Sequence, residues 1–118
     1  MENKSIFVYC EINEEGNVAD VSLELLTKGR KLADELRTDL HAMLIGYKLD
    51  EAVESIKGYG INQLYLADHK SLFPYRTMPH SSILSGFLEK NRPEIVLIGA
   101  TPVGRDLAPR IASKLQCG

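Results

Sequence analysis

Residues 94–115, "EIVLIGATPVGRDLAPRIASKL", decide the fold that the sequence predicts. The apolar run 94–100 predicts a buried strand, and the small residues after it lead into a helical pattern. A strand, a short turn and a helix in this order form the repeating unit of α/β sheets. In such proteins the turn either binds a nucleotide phosphate or only begins the helix.

Three more strand and helix patterns precede this segment in strict alternation. We predict strands at 5–10, 40–46 and 62–68, and helices at 20–36, at 49–60 and around 83–88. Gly29 lies on the apolar stripe of the first helix, where it would let that helix approach the sheet closely. The alternation predicts a three-layer α/β/α domain whose sheet is mostly parallel and covered by helices on both faces.

The order of the strands follows from the handedness of the crossovers. Right-handed connections around a central first strand give the order 3-2-1-4. Strands 2 and 3 are added on one side of strand 1 and strand 4 on the other, so the strand order reverses between strands 1 and 4. The loops at 11–17 and 101–106 then flank one crevice, which is where open α/β sheets bind their ligands.

Neither loop has the pattern of a phosphate site. Glu11, Glu14 and Glu15 in the first loop disfavour a phosphate. The second loop lacks both the Lys and hydroxyl of a P-loop and the GxGxxG pattern of a dinucleotide-binding turn. The sequence motifs therefore do not support nucleotide binding here.

Pro109 loses no hydrogen bond only in the first turn of a helix, so its position bears on where the last helix starts, and two starts are possible. In one, Asp106 is the N-cap and its carboxylate accepts hydrogen bonds from the free amides. In the other, Thr101 is the N-cap, Pro102 is the first helical residue and the helix is kinked near Pro109.

The two starts predict different roles for the loop. We prefer the Asp106 cap, with which the loop is structural and Arg105 and Arg110 form ion pairs or lie at an interface. With a Thr101 cap, Thr101, Gly104 or Arg105 are candidates to contact a cofactor, an anion or a partner. Gly104 permits a positive φ or a close approach of another backbone under either interpretation.

Length and composition exclude several classes of protein. A chain of 118 residues fits one domain, 1–118, and its formal charge of −2 with dispersed cations argues against nucleic-acid binding. No apolar run is long enough to span a membrane and no signal peptide is seen, so we expect a cytoplasmic or organelle-matrix protein. Cys10 and Cys117 are expected to be reduced, and the three histidines predict no metal site.

Three stretches give the chain a family resemblance: "VSLELLTKGRKLADEL" (21–36), "EAVESIKGYGINQLYLAD" (51–68) and above all "PEIVLIGATPVGRDLAPRIASKL" (93–115). With these, the chain resembles the N-terminal domain of the electron transfer flavoprotein alpha subunit over essentially its whole length. The G-A-T-x-x-G-R-D-L-A-P-R core of the last stretch is the specific part of the match.

The resemblance implies an electron carrier and not an enzyme. In that family an alpha subunit pairs with a beta subunit in a heterodimer. The bound FAD accepts electrons from dehydrogenases, such as the acyl-CoA dehydrogenases of fatty acid oxidation, and passes them to an acceptor. FAD is held mainly by a C-terminal domain of the alpha subunit, which has no counterpart in residues 1–118. The resemblance thus implies a scaffold and subunit interface that binds no flavin by itself.

The main alternative is a free-standing adenine-nucleotide-binding module of the universal-stress type, which would share the strand order. Such a module requires a loop rich in Gly, Ser and Thr after strand 4, and "GATPVGRDLAP" provides little of that.

Overall fold

Four strands alternate with four α-helices along residues 5–115, which are the residues that the computed structural model describes. In chain order these elements are β1 (Ile6–Cys10), α1 (Asp20–Leu36), β2 (Leu40–Gly46), α2 (Asp50–Ser55), β3 (Gln63–Asp68), α3 (Thr77–Asn91), β4 (Ile95–Leu97) and α4 (Pro102–Leu115). Short 3-10 turns follow α2 at Lys57–Tyr59 and β3 at Lys70–Leu72.

The sheet is parallel throughout, with the order β3-β2-β1-β4. Strand β1 is central: Ile6 lies opposite Leu40 of β2 on one side and Ile95 of β4 on the other. The predicted strand order 3-2-1-4 is confirmed, and with it the point between β1 and β4 at which the strand order reverses.

Alternate side chains of the strands enter two separate apolar cores. Ile6, Val8 and Cys10 of β1 pack with α1 and α2 on one face of the sheet. Phe7 and Tyr9 point to the other face and pack with α3 and α4. Because a strand's side chains alternate between faces, these two cores show the predicted three-layer arrangement.

Helix α1 lies close to the sheet because of a glycine. A Cβ atom at Gly29 would lie 2.9 Å from Cδ1 of Leu40 and 3.3 Å from Cγ2 of Val8. The side chains of two central strands therefore occupy the space that any larger residue at position 29 would need, which confirms the close approach predicted from the sequence.

Two elements are shorter than predicted. Helix α2 ends at Ser55, since Ile56 leaves the helical conformation and the chain tightens into a 3-10 turn before Gly60 (φ 74°) ends it. Strand β4 ends at Leu97, because the chain turns there to bring Gly99 against the first turn of α4.

Helix α3 begins earlier than its apolar positions predicted. It starts at Thr77, so that Pro79 lies in its first turn, where a proline is tolerated. Its end before Pro93 is as predicted: Asn91 is the last helical residue and Arg92 adopts a left-handed φ of 38°.

Candidate functional site

The last helix has Thr101 as its N-cap, the second of the two predicted starts. Pro102 is its first residue, and the hydroxyl Oγ1 of Thr101 accepts a hydrogen bond of 3.0 Å from the Gly104 N–H. The Thr101 carbonyl accepts from the Arg105 N–H at 2.7 Å. The prediction that Asp106 caps this helix is corrected: Asp106 lies a full turn inside it, beyond the free amides that an N-cap serves.

Gly104 is required by packing and not by backbone conformation. A Cβ atom at this position would lie 1.7 Å from the carbonyl oxygen of Gly99 and 3.2 Å from Cγ2 of Ile98. The positive-φ glycines of the described residues are Gly16 and Gly60, so position 104 needs no left-handed backbone. The missing side chain lets the first turn of α4 contact the preceding loop directly.

The Thr101 hydroxyl also joins the two loops that flank the crevice. It donates a 2.6 Å hydrogen bond to Oε1 of Glu11, which is ninety residues away in the chain. Glu11 is itself held in place, because its N–H donates to Oγ of Ser22 and its carbonyl accepts from the Ala19 N–H, both at 2.8 Å. A carboxylate of the protein thus lies at the N-terminus of α4, where the helix dipole stabilises negative charge.

Asp106 connects α4 to the segment that enters α3. Its Oδ2 accepts hydrogen bonds from the Tyr75 hydroxyl, at 2.8 Å, and from the Thr77 hydroxyl, while Oδ1 lies 3.6 Å from Nε of Arg110. The hydrogen bonds from Thr77 and Tyr75 lower the pKa of the Asp106 carboxyl, and Arg110 acts in the same direction. Asp106 therefore stabilises the fold through long-range contacts and not as a helix cap.

A buried histidine, His80, contacts the segment that precedes α3. Nε2 of His80 lies 3.0 Å from the Leu72 carbonyl oxygen and Nδ1 lies 2.9 Å from the Tyr9 hydroxyl. Because a carbonyl can only accept, Nε2 carries the proton and Nδ1 accepts from Tyr9. Burial lowers the pKa of His80, which agrees with this neutral form. The ring of Tyr75 packs edge-on against His80, with centroids 4.8 Å apart.

These contacts surround a cleft of about 350 Å³ at the carboxyl end of β1. Its walls come from the loop after β1 (Glu11, Ile12, Asn13, Glu14), the segment before α3 (Phe73, Pro74, Tyr75) and the start of α4 (Pro102, Val103). We call this the switch-point cleft, because it lies where the strand order reverses. It is the crevice that the strand order predicted.

The predicted site residues Thr101, Gly104 and Arg105 differ in their contacts and exposure. Thr101 and Gly104 meet at the helix start, as described above, whereas Arg105 is exposed. Within residues 5–115, no carboxylate lies within ion-pair distance of the Arg105 side chain. Sequence reasoning missed Tyr75, Thr77 and His80, because their hydrogen-bond partners lie on other elements. The sequence signal for the observed helix start was a Thr, Thr101, directly before a Pro, Pro102.

Several other features bear on the site. Cys10 is a free cysteine in the apolar core, as predicted for a reduced thiol, and burial raises the pKa of this thiol to about 12. Cys117 lies outside the described residues. Among residues 5–115 no group of His, Cys, Asp and Glu side chains could hold a metal ion. None of the helices in that part of the chain has the length and apolar composition needed to cross a bilayer.

The parallel sheet, its order and the cleft at its switch point define an α/β domain of the Rossmann-like class. The sequence profile of the electron transfer flavoprotein domain matches residues 6–118. The chain therefore belongs to the electron transfer flavoprotein family.

Individual relatives agree with this assignment. The chain is 38% identical to the acryloyl-CoA reductase electron transfer subunit beta of Anaerotignum propionicum, over 98% of this chain and 31% of that protein. It is 35% identical to the electron transfer flavoprotein subunit alpha of Clostridium acetobutylicum (98% and 34%). It is 39% identical to protein FixB of Rhizobium meliloti (98% and 33%). The chain thus spans about a third of the length of these curated relatives, which are named as parts of electron-transfer systems or as FixB.

A methyl group at position 104 tests the packing role of this glycine. Gly104→Ala should lower the free energy of unfolding by about 1–3 kcal/mol, because its Cβ cannot fit against the Gly99 carbonyl. Gly86→Ala is the matched control, since position 86 is an exposed helical glycine where an added Cβ would meet no atom within 4 Å, and it should be neutral or stabilising by up to about 1 kcal/mol. Urea unfolding followed by circular dichroism measures both, and a Gly104→Ala chain as stable as the wild type would contradict the packing role.

Removal of the Asp106 carboxylate should lower the melting temperature of the chain in a pH-dependent way. Because the folded-state pKa of Asp106 is below its ordinary value, the carboxylate stabilises the fold above about pH 4 and this stabilisation is lost as the pH falls through the folded-state pKa. The difference between wild type and Asp106→Ala should therefore be full at pH 7 and shrink in acid. Arg105→Ala, an exposed control on the same helix, should melt like the wild type; equal melting of all three chains at pH 7 would refute the role of Asp106.

Proposed function

We propose that this chain is the scaffold and subunit-interface domain of an electron transfer flavoprotein alpha subunit. The observation that carries the proposal is the family match over residues 6–118. Its named relatives include electron transfer subunits. We therefore expect the complete protein to be a redox carrier and not an enzyme. In the complete protein, FAD would accept electrons from dehydrogenases, such as acyl-CoA dehydrogenases, and pass them to an acceptor.

The flavin itself would be held mainly by a C-terminal domain outside residues 1–118. Within this chain, the N-terminus of α4 faces the carboxylate of Glu11, and Glu14 also lines the switch-point cleft. A pyrophosphate or phosphate group placed there would meet negative charge, and the Glu11 carboxylate already lies at the helix terminus that such groups use elsewhere. The residues present do not fit the phosphates of FAD or of AMP.

The same observation argues against the universal-stress type of nucleotide-binding module. Such a module binds phosphates with the loop after β4 and the first turn of the next helix. Here the Thr101 hydroxyl donates to Glu11 and accepts from the Gly104 amide, so both of these groups are engaged within the protein. Nothing in the cleft lining carries a positive charge that would compensate.

The 118-residue chain expressed alone should be colourless and should bind FAD, AMP and ATP without micromolar affinity. The physical reasons are the missing flavin domain and the carboxylates of the switch-point cleft. Visible absorbance and isothermal titration calorimetry make the measurement, with the complete protein, expected to be yellow, as the positive control. Stoichiometric flavin on the chain alone would contradict the proposal, and micromolar affinity for AMP or ATP would favour the nucleotide-binding module.

We also propose that Arg105 contacts the partner beta subunit. Its side chain is exposed and has no ion-pair partner within residues 5–115, which is the situation of an interface residue before assembly. Arginine is among the residues that contribute most to interfaces. Thr101 and Gly104 form the helix start next to Arg105, and we assign them no direct contact with the partner.

Arg105→Ala should weaken assembly with the beta subunit by about tenfold, while the melting temperature of the chain stays that of the wild type. Lys114→Ala is the matched control, since it removes an exposed cation from the other end of the same helix and should leave assembly unchanged. Biolayer interferometry with the immobilised beta subunit measures the two affinities. Equal affinity for both variants would remove Arg105 from the proposed interface.

A further inference from the structure

The switch-point cleft has mostly apolar walls and two acidic residues, Glu11 and Glu14, which we call its acidic rim. Ile12, Phe73, Pro74, Pro102 and Val103 provide the apolar walls. The only charged side chains among its nine lining residues are those of Glu11 and Glu14. A cavity of about 350 Å³ with this lining is large enough to receive side chains of another molecule and favours those that carry positive charge.

The negative charge of this rim is not neutralised within the described part of the chain. No Lys, Arg or His of residues 5–115 forms an ion pair with Glu11 or Glu14. The hydrogen bond from Thr101 to Glu11 orients that carboxylate but comes from a neutral group. A cation that enters the cleft therefore finds two carboxylates without having to displace another cation.

The wall of the cleft that comes from the segment before α3 is held by several contacts within the chain. Tyr75 is fixed by its hydrogen bond to Asp106 and by its contact with the ring of His80. His80 is fixed in turn by Leu72 and Tyr9. Because these contacts are made within the chain itself, binding here does not have to create them, which favours affinity.

The chemistry of the lining selects the kind of side chain. Lys and Arg have long apolar stems with a charged end, so the stem can lie along Phe73 and Val103 while the head reaches the Glu11 and Glu14 carboxylates. We infer that the switch-point cleft is a docking pocket for a Lys or Arg side chain of the partner subunit. This inference rests on the proposed function, which requires a partner polypeptide on this domain, and it adds a contact distinct from the one at Arg105.

Charge removal at the rim tests the pocket. Glu14→Gln keeps the size of an exposed side chain and should weaken binding of the beta subunit by about two- to fivefold at low salt, because a rim ion pair contributes modestly. The wild-type affinity should fall as NaCl rises from about 0.05 to about 0.3 M, and this fall should be smaller for Glu14→Gln. Glu15→Gln is the matched control, because Glu15 is the neighbouring exposed carboxylate and does not line the cleft.

A chemical cross-link locates the contact independently of affinity. Carbodiimide treatment of the assembled complex joins a carboxylate to a lysine amine that it touches. If the contact is a Lys, mass spectrometry should find Glu11 or Glu14 cross-linked to a Lys of the beta subunit. If the contact is an Arg, Glu14 should be protected from carbodiimide modification in the complex. Equal affinity and equal salt dependence of Glu14→Gln and Glu15→Gln would overturn the pocket. So would a dimer of this chain that Glu14→Gln dissociates, or retention of a small cation by the chain in native mass spectrometry.

The pocket and the proposed function fail in different ways. If the complete protein carries flavin and binds its beta subunit while Glu14→Gln behaves like the wild type, the pocket is wrong and the proposed function stands. If the complete protein carries no flavin and binds no beta subunit, the proposed function is wrong and the pocket falls with it.

Discussion

Strand β1 imposes the constraint on which the rest of the structure depends, because it has neighbours in every direction. It pairs with β2 on one side and β4 on the other, while α1 covers one of its faces and the core shared with α3 and α4 covers the other. Each of its five residues, Ile6–Cys10, is at most 2% exposed. The strand can therefore hold no charged side chain, and its one hydroxyl, that of Tyr9, is hydrogen-bonded to His80. The first charged residues that can follow it emerge at the sheet's carboxyl edge. Glu11 is in this position.

The chemistry at that edge depends on one hydroxyl group. Thr101 can donate one hydrogen bond and accept others, and here it donates to Glu11 while it accepts from the Gly104 amide. Thr101 thereby connects the start of α4 to the loop after β1. The same helix start contains the close contact of Gly104 with Gly99. Domains of this class often bind phosphates at this point, whereas in this chain the Glu11 carboxylate lies there.

The sequence was sufficient to predict what depends on periodicity and local order. Apolar runs and helical spacing gave the four strands, the helices and, with the handedness rule, the strand order. It could not decide the role of Asp106, because the partners Tyr75 and Thr77 lie 31 and 29 residues away and come close only after α3 and α4 pack. Likewise, Gly104 is compatible with a positive φ or with close packing until the Gly99 carbonyl is placed. Long-range contacts, and not local propensity, are what the sequence leaves open.

The pair of hydrogen bonds made by His80 gives the domain a built-in spectroscopic reporter. Its Nε2 proton is directed at the Leu72 carbonyl in a residue that is only 3% exposed, so exchange of this proton with water is hindered. We expect an imidazole proton protected in this way to give a resolved downfield resonance in a proton NMR spectrum. Since the ring also touches Tyr75, whose side chain lines the switch-point cleft, that single signal reports on the cleft wall without a label or a substitution.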